Sequence, residues 1–314
     1  MLAYAAVFAA LGITGGEAGA PKRFSAVGAQ ADAAEFDPML AEKPIIPPLM
    51  TAEYLQLLMN QATPLQIVDI RRRRARSSLF SYLSGHIPGS SNLPYGEWRK
   101  IWADPLEVPG DLALTNIVRR AGLVKSKPVV IVHSSAAKGN FGSAAWVYWV
   151  LKSSGFKDLS ILDGGIRAWQ ENGGPLERIA RKTAPSGETV RLDPTWLATH
   201  EDVDAMLRGE SDAQLLDARP LNQIAKRGML DGATHLNGIA LMNGTRGQAG
   251  DILSIFERIK QVQIAWGSQD VITYCNNGAL AAIDWFMASE IAKIPNVKIY
   301  GHSLSARDRA AWIN

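Results

Sequence analysis

The chain of 314 residues holds one cysteine, Cys275, and its neighbours suggest chemistry. It closes the apolar run Asp270-Val-Ile-Thr-Tyr-Cys275. Asn276-Asn277-Gly278-Ala279-Leu280 follows, and Ala281 opens a stretch to Glu290 with the residues of a helix. The pattern is strand, cysteine, short loop, helix. In an open parallel sheet it sets the thiol at the carboxyl end of a strand, where ligand crevices lie. Backbone N–H groups of the loop and first helical turn would converge there as a nest for negative charge. A helix N-terminus can lower a cysteine pKa from about 8.5 into roughly the 3.5–7.5 range. The expectation is a solvent-reachable thiolate nucleophile, with Gly278 letting the loop turn without a Cβ penalty. The competing reading is inert packing, since free cysteine is among the most buried residue types.

Other chemistries of a lone thiol fit less well. A Cys-x5-Arg phosphatase needs an arginine to clamp phosphate where this chain has Ala281. A redox relay lacks a second cysteine to resolve a disulfide, and one cysteine with five histidines leaves almost no ligands for a thiolate zinc site. No metal or organic cofactor is implied. The formal charge of +3, from 33 Lys and Arg against 30 Asp and Glu, provides no global field for nucleic acid. Hydrophobic residues at 47% and charged residues at 20% describe an ordinary globular chain.

The elements that must position the thiol are short apolar runs such as Val129–Val132 and Val271–Thr273, suited to buried parallel strands. They alternate with helical-length segments such as Ser143–Ser153 and Ala281–Ala292. The fold class is therefore α/β, an open, mostly parallel sheet flanked by helices in each of two halves. Residues 2–14 are an apolar run too short to span a bilayer, followed by Ala18-Gly19-Ala20, so residues 1–20 read as a secretory leader without its usual basic start. That predicts a periplasmic or secreted protein, with a cytoplasmic one as the alternative, and no stable membrane insertion once the leader is removed. Residues 21–48, rich in Ala, Pro and small polar residues, read as an arm, and 183–192 as a linker around Thr183-Ala-Pro-Ser-Gly-Glu188. Domains are expected over 49–182 and 193–314.

The two halves repeat each other. Gln66-Ile-Val-Asp-Ile-Arg71, Gly85-His-Ile-Pro-Gly-Ser90, Pro128-Val-Val-Ile-Val-His-Ser134 and Leu159-Ser-Ile-Leu-Asp-Gly-Gly165 occur in this order. They are answered by Gln214-Leu-Leu-Asp-Ala-Arg219, Gly228-Met-Leu-Asp-Gly-Ala233, Asp270-Val-Ile-Thr-Tyr-Cys275 and Val297-Lys-Ile-Tyr-Gly-His-Ser303. Asp-x-Arg, Gly-His-Ile-Pro-Gly-Ser and strand–Cys-x-x-Gly in this order resemble the rhodanese sulfurtransferases, in the tandem form whose C-terminal copy carries the cysteine. The resemblance implies a cysteine that takes a sulfane sulfur from a donor such as thiosulfate or 3-mercaptopyruvate and passes it as a persulfide to a thiol or cyanide acceptor. It makes Cys275 the sulfur carrier and residues 276–281 its substrate loop. Ser134 stands at the cysteine position of the first copy. A hydroxyl cannot form a persulfide, so that copy is expected to be silent and to wall an interdomain cleft.

Several residues depart from the resemblance or extend it. Asn276-Asn277 is neutral where thiosulfate-preferring members carry cations, so charge for an anionic donor has to come from elsewhere, such as Arg219, His235, Arg307 or first-half arginines. Arg219 is a substrate-binding candidate whose alternative is pairing with a nearby carboxylate. His86 is a candidate cleft residue, or a structural loop histidine. His302, in Tyr300-Gly-His-Ser-Leu-Ser-Ala306, is expected near the thiol loop, where an imidazolium would favour thiolate. The run Arg71–Arg74 with Arg76 reads as a solvated loop or as an anion funnel. These departures leave open a second class of function, a scaffold that binds a protein partner or anionic ligand without turnover. Neither oligomeric state nor the physiological donor follows from the sequence.

Overall fold

In the computed structural model, the described residues are 44–74, 81–99, 110–180, 182–244, 247–264, 269–301 and 304. The expected leader and most of the expected arm lie outside them. The first half builds a five-stranded sheet from β1 (Leu49–Met50), β2 (Gln66–Asp69), β3 (Ser91–Asn92), β4 (Val129–Val132) and β5 (Leu159–Leu162), in the order β1-β5-β4-β2-β3. The second uses β6 (Leu197–Ala198), β7 (Gln214–Asp217), β8 (Thr234–His235), β11 (Val271–Tyr274) and β12 (Val297–Tyr300), in the order β6-β12-β11-β7-β8. The two orders are the same permutation, and every pairing in both sheets is parallel. One hairpin departs from the repeat: β9 (Met242–Asn243) and β10 (Gln248–Ala249) pair antiparallel in the second half.

The central strands are continuous apolar runs because helices cover both faces, leaving no side exposed to water. Val129–Val132 and Val271–Tyr274 are buried at every position. In the first half the helices are α1 (Ala52–Asn60), α2 (Tyr95–Arg99), α3 (Asp111–Ala121), α4 (Asn140–Ser153) and α5 (Gly165–Glu171). The second adds α6 (His200–Leu207), α7 (Leu221–Arg227), α8 (Ile252–Gln261) and α9 (Ala279–Trp285). Local chemistry sets several of their starts. Thr51 accepts from the Tyr54 amide ahead of α1, and Thr199 with Asp202 forms a reciprocal capping box ahead of α6.

Helix α9 runs on as a π-helical segment over Phe286–Ile291, so the expected helix to Ala292 changes its winding partway. Within this segment Glu290 is buried and takes Tyr148 and Lys152 of α4 as partners, at 3.1 and 2.5 Å. Helices α4 and α9 press together at the seam between the repeats. A Cβ on Gly142 would meet the Ala279 carbonyl, an approach only glycine allows. Their apolar residues share one core cluster spanning both halves, with Trp146, Trp149, Trp285 and Phe286 at zero exposure. The Trp146–Trp149 segment is thus core, as its aromatic content suggests. Residues from Ile46 onward form one compact unit.

Candidate functional site: the Cys275 loop

Strand β11 runs centrally between β7 and β12 and ends at Tyr274, so the thiol of the next residue, Cys275, sits at the carboxyl edge of the second sheet. The loop turns at Gly278, whose φ of +85° is left-handed backbone that side chains rarely adopt. Its amide donates to Cys275 Sγ at 3.0 Å. The loop amides of Asn277, Leu280 and Ala281 also pull the thiol pKa down. The loop backbone thus offers fixed stabilisation for negative charge at this atom.

The electrostatic outcome differs from the sequence expectation. Cys275 is 1% exposed, and burial pushes its thiol pKa up, outweighing the four amides that pull it down. The solvent-reachable thiolate expected from loop geometry alone is thus corrected to an enclosed thiol within a ready-made anion nest. The reason is coverage from the first repeat. A Cβ on Gly278 would stand 2.8 Å from Trp146 and 3.3 Å from Arg99 Nη1, so both side chains lie against the loop. Tyr95 packs on the same cluster, hydrogen-bonds Arg99 and senses the charge of Cys275. Burial raises its phenol to about 12 and keeps it protonated.

The remaining loop residues divide the work. Asn277 is exposed at the apex, and its Oδ1 accepts from the Ala279 amide at 3.3 Å and lies 3.9 Å from Sγ. Asn276 is held from both sides, donating to Gln223 at 2.9 Å and accepting from Arg219 at 3.4 Å. Leu280 packs against the core, and the Ala281 carbonyl accepts from Thr273 at 3.0 Å.

Arg219 lies under the loop rather than facing a substrate. It is fully buried, bidentate to Asp217 with a closest contact of 2.6 Å, and bonded to the Gly228 carbonyl at 2.5 Å. The same device recurs in the first repeat, where Arg71 grips Asp69 at 2.6 Å and the carbonyls of Ser81 and Gly85. Both guanidiniums are consumed by structure, which answers the Asp-x-Arg candidates in physical terms. Arg72–Arg74 are exposed, and Arg76 lies outside the described residues.

His86 is buried in the frame of the first repeat, stacked on Tyr82 at 3.7 Å, with Nδ1 3.0 Å from the Tyr82 carbonyl and Nε2 3.9 Å from Glu177. These contacts place it away from the loop's neighbours. His235 sits 2.8 Å from the Arg219 carbonyl. His302 and Arg307 lie outside the described residues. Sequence reading missed Tyr95 and Arg99. Their only signal was position, in Tyr95-Gly-Glu-Trp-Arg99 just after Gly-His-Ile-Pro-Gly-Ser.

The family model for the rhodanese-like domain matches twice, over residues 51–172 and 199–306. The chain belongs to that family. Its two rhodanese-like domains correspond to the two sheets, and the second contains the cysteine loop. Among curated relatives, SseB of Mycobacterium tuberculosis is 30% identical over 182 residues, covering 54% of this chain and 61% of the relative. The match thus spans about three-fifths of that relative's length. The 3-mercaptopyruvate sulfurtransferase of Escherichia coli is 27% identical over 253 residues, covering 75% and 86%. The crystal structure of SseA from Escherichia coli superposes with a TM-score of 0.69 at 23% identity, over 82% of this chain and 99% of that one, a shared fold.

Proposed function

We propose that this protein is a sulfurtransferase that carries a sulfane sulfur on Cys275. The observation that carries the reading is the Gly278 amide donating to Sγ at 3.0 Å in a loop that follows a central parallel strand and whose backbone pulls the thiol pKa down. Relatives named 3-mercaptopyruvate and thiosulfate sulfurtransferases support the reaction class. In the first half-reaction Cys275 gives up its proton to the medium, and the resulting thiolate, stabilised by the loop amides, attacks the outer sulfur of the donor. With thiosulfate, the new S–S bond forms as the donor S–S bond breaks, and sulfite leaves with the electron pair. With 3-mercaptopyruvate, a C–S bond breaks instead, and the pyruvate enolate leaves and takes up the proton. An acceptor thiolate or cyanide then attacks the terminal sulfur and returns the Cys275 thiolate.

The amide nest suits the charge that the terminal persulfide sulfur carries, because preorganised dipoles in a dry site need no reorganisation as charge moves. Intact-mass measurement after incubation with each donor tests the reading. A gain of one sulfur, about 32 Da, is expected, and Cys275→Ser should abolish it because a hydroxyl offers no comparable nucleophile. Burial of the thiol favours a second reading, a binding scaffold without turnover. No mass gain with either donor, together with an inert thiol at every pH, would select it.

A further inference from the structure

Three arginines lie at least partly buried around the two strand-end loops, and they differ in what satisfies them. Arg71 and Arg219 each spend their donors on an aspartate and on main-chain carbonyls. Arg99, at the end of α2 in the first repeat, does not. Its guanidinium lies over the Trp146 ring, 4.2 Å from the centroid, and shares a hydrogen bond with Tyr95. Its Nη1 is buried and has no hydrogen-bond partner among the described residues. Glu97, two residues before it, is engaged with Arg120 at 2.6 Å. A buried guanidinium N–H without an acceptor is costly, and a desolvated cation attracts an anion strongly. The vacancy faces the loop, since Nη1 is 3.3 Å from where a Gly278 side chain would begin, and the Gly278 amide holds Sγ.

We infer that Arg99, contributed by the first repeat, binds the oxyanion end of a small sulfur donor while the donor's sulfur meets Cys275 in the second. The inference rests on the sulfur-transfer reading and specifies its substrate class: a donor carrying a carboxylate or a sulfonate-type group one loop residue away from the reacting sulfur. It also accounts for the neutral Asn276-Asn277 apex. The cation that the loop lacks arrives across the seam, held flat by Trp146 and oriented by Tyr95. A guanidinium in this position presents its edge to an oxyanion, which an ammonium cannot do bidentately.

The test compares Cys275 alkylation by iodoacetate, which carries a carboxylate, with alkylation by neutral iodoacetamide, in wild type, Arg99→Gln and Arg99→Lys. Thermal melts of each variant control for folding. Wild type should favour the anionic reagent beyond the ratio shown by free cysteine. Arg99→Gln should lower this ratio by about 10-fold or more, the loss expected for a charge-assisted hydrogen bond, and Arg99→Lys should restore it in part. The iodoacetamide rate reports how removal of the side chain changes access to and ionisation of the thiol, so only the ratio of the two rates is read as the anion contact. In parallel, KM for sulfur loading should rise in Arg99→Gln with 3-mercaptopyruvate and with thiosulfate. A rise with one donor alone identifies the oxyanion that is bound. A wild-type ratio equal to that of free cysteine, a thiol that neither reagent alkylates, or an Arg99→Gln ratio equal to wild type overturns the inference. If wild type keeps the alkylation preference but gains no sulfur from either donor, the sulfurtransferase reading fails and the anion contact stands.

Discussion

The loops that follow β4 and β11 occupy the same place in two copies of one fold, yet they are finished differently. After β11, the Gly278 amide donates to Cys275 Sγ, and Trp146 and Arg99 from the other repeat rest against Gly278. After β4, Ser134 is followed by a loop sealed from the other side by the β9–β10 hairpin. There Lys138 donates to the Met242 carbonyl at 3.2 Å, and the Ala249 amide donates to Asp163 at 2.8 Å. Each repeat thus covers the other's strand-end loop. On the Ser134 side the named cover contacts join protein to protein, while on the Cys275 side a guanidinium N–H is left over. Duplication supplied the frame twice, and the covers over the two loops are built from different contacts.

Strand register corrects the pairing expected from the sequence: Val132 lies opposite Asp69 as Tyr274 lies opposite Asp217, so His133, not Ser134, stands where Cys275 does. His133 is buried, and desolvation lowers its pKa to about 4, so it stays neutral at physiological pH. Tyr274 in the second repeat donates to Asp217 at 2.8 Å and accepts from the Leu230 amide at 3.1 Å, bracing the strand end beneath the loop.

The largest effect expected from exchanging the copies is all-or-none. Cys275→Ser removes the sulfur atom and should eliminate sulfur uptake, and adding His133→Cys at the register-matched place in the first repeat should not restore it; intact-mass analysis checks both. Next comes the buried pair shared by both repeats. Arg219→Met leaves Asp217 charged and unpaired, and should cost roughly 3–5 kcal/mol in urea titration. Asp217→Asn/Arg219→Met together should recover part of that loss.

The His133 shift implies acid sensitivity of the first repeat. Its pKa is lowered on folding, so between about pH 6.5 and 4 the unfolded chain binds the proton first and stability falls as pH drops. Denaturant titrations across that range should show a loss of a few kcal/mol that His133→Phe flattens. Gly278→Ala, forced to hold φ +85° against Trp146, should cost about 1–2 kcal/mol and slow sulfur loading. The smallest effect concerns Asp284, buried on α9 with both oxygens unpartnered among the described residues, its pKa driven well up by burial and then by Asp217. A folded pKa raised in this way removes stability as pH climbs from the unfolded value toward the folded one. Asp284→Asn should therefore stabilise the protein at pH 7 by on the order of 1 kcal/mol, read as a higher Tm.

Much of this was legible because it is written locally. Val129–Val132 and Val271–Tyr274 are apolar runs ended by turn residues, and the matching Asp-x-Arg pairs mark both copies. The amide contact to Sγ follows from a strand, a short turn and a helix in succession. What the sequence could not convey lies across the seam. Trp146 and Arg99 meet Gly278 only because α4 and α9 pack the repeats together, and no periodicity relates residues so far apart. The same coverage reverses the balance on Cys275, since burial depends on neighbours that a loop motif does not specify. Arg219 looked available because its spacing from Asp217 is compatible with both a strut and a clamp; only the enclosed geometry decides for the strut.

Gly278 has a consequence for reading variation in this chain. With a first-repeat indole and guanidinium resting on it, the cysteine loop is encoded in one half and its ceiling in the other. Changes in Tyr95–Arg99 should therefore be scored as active-centre changes despite lying in the copy without a cysteine. Expressing the second half by itself would yield a roofless pocket whose sulfur is wet and indiscriminate.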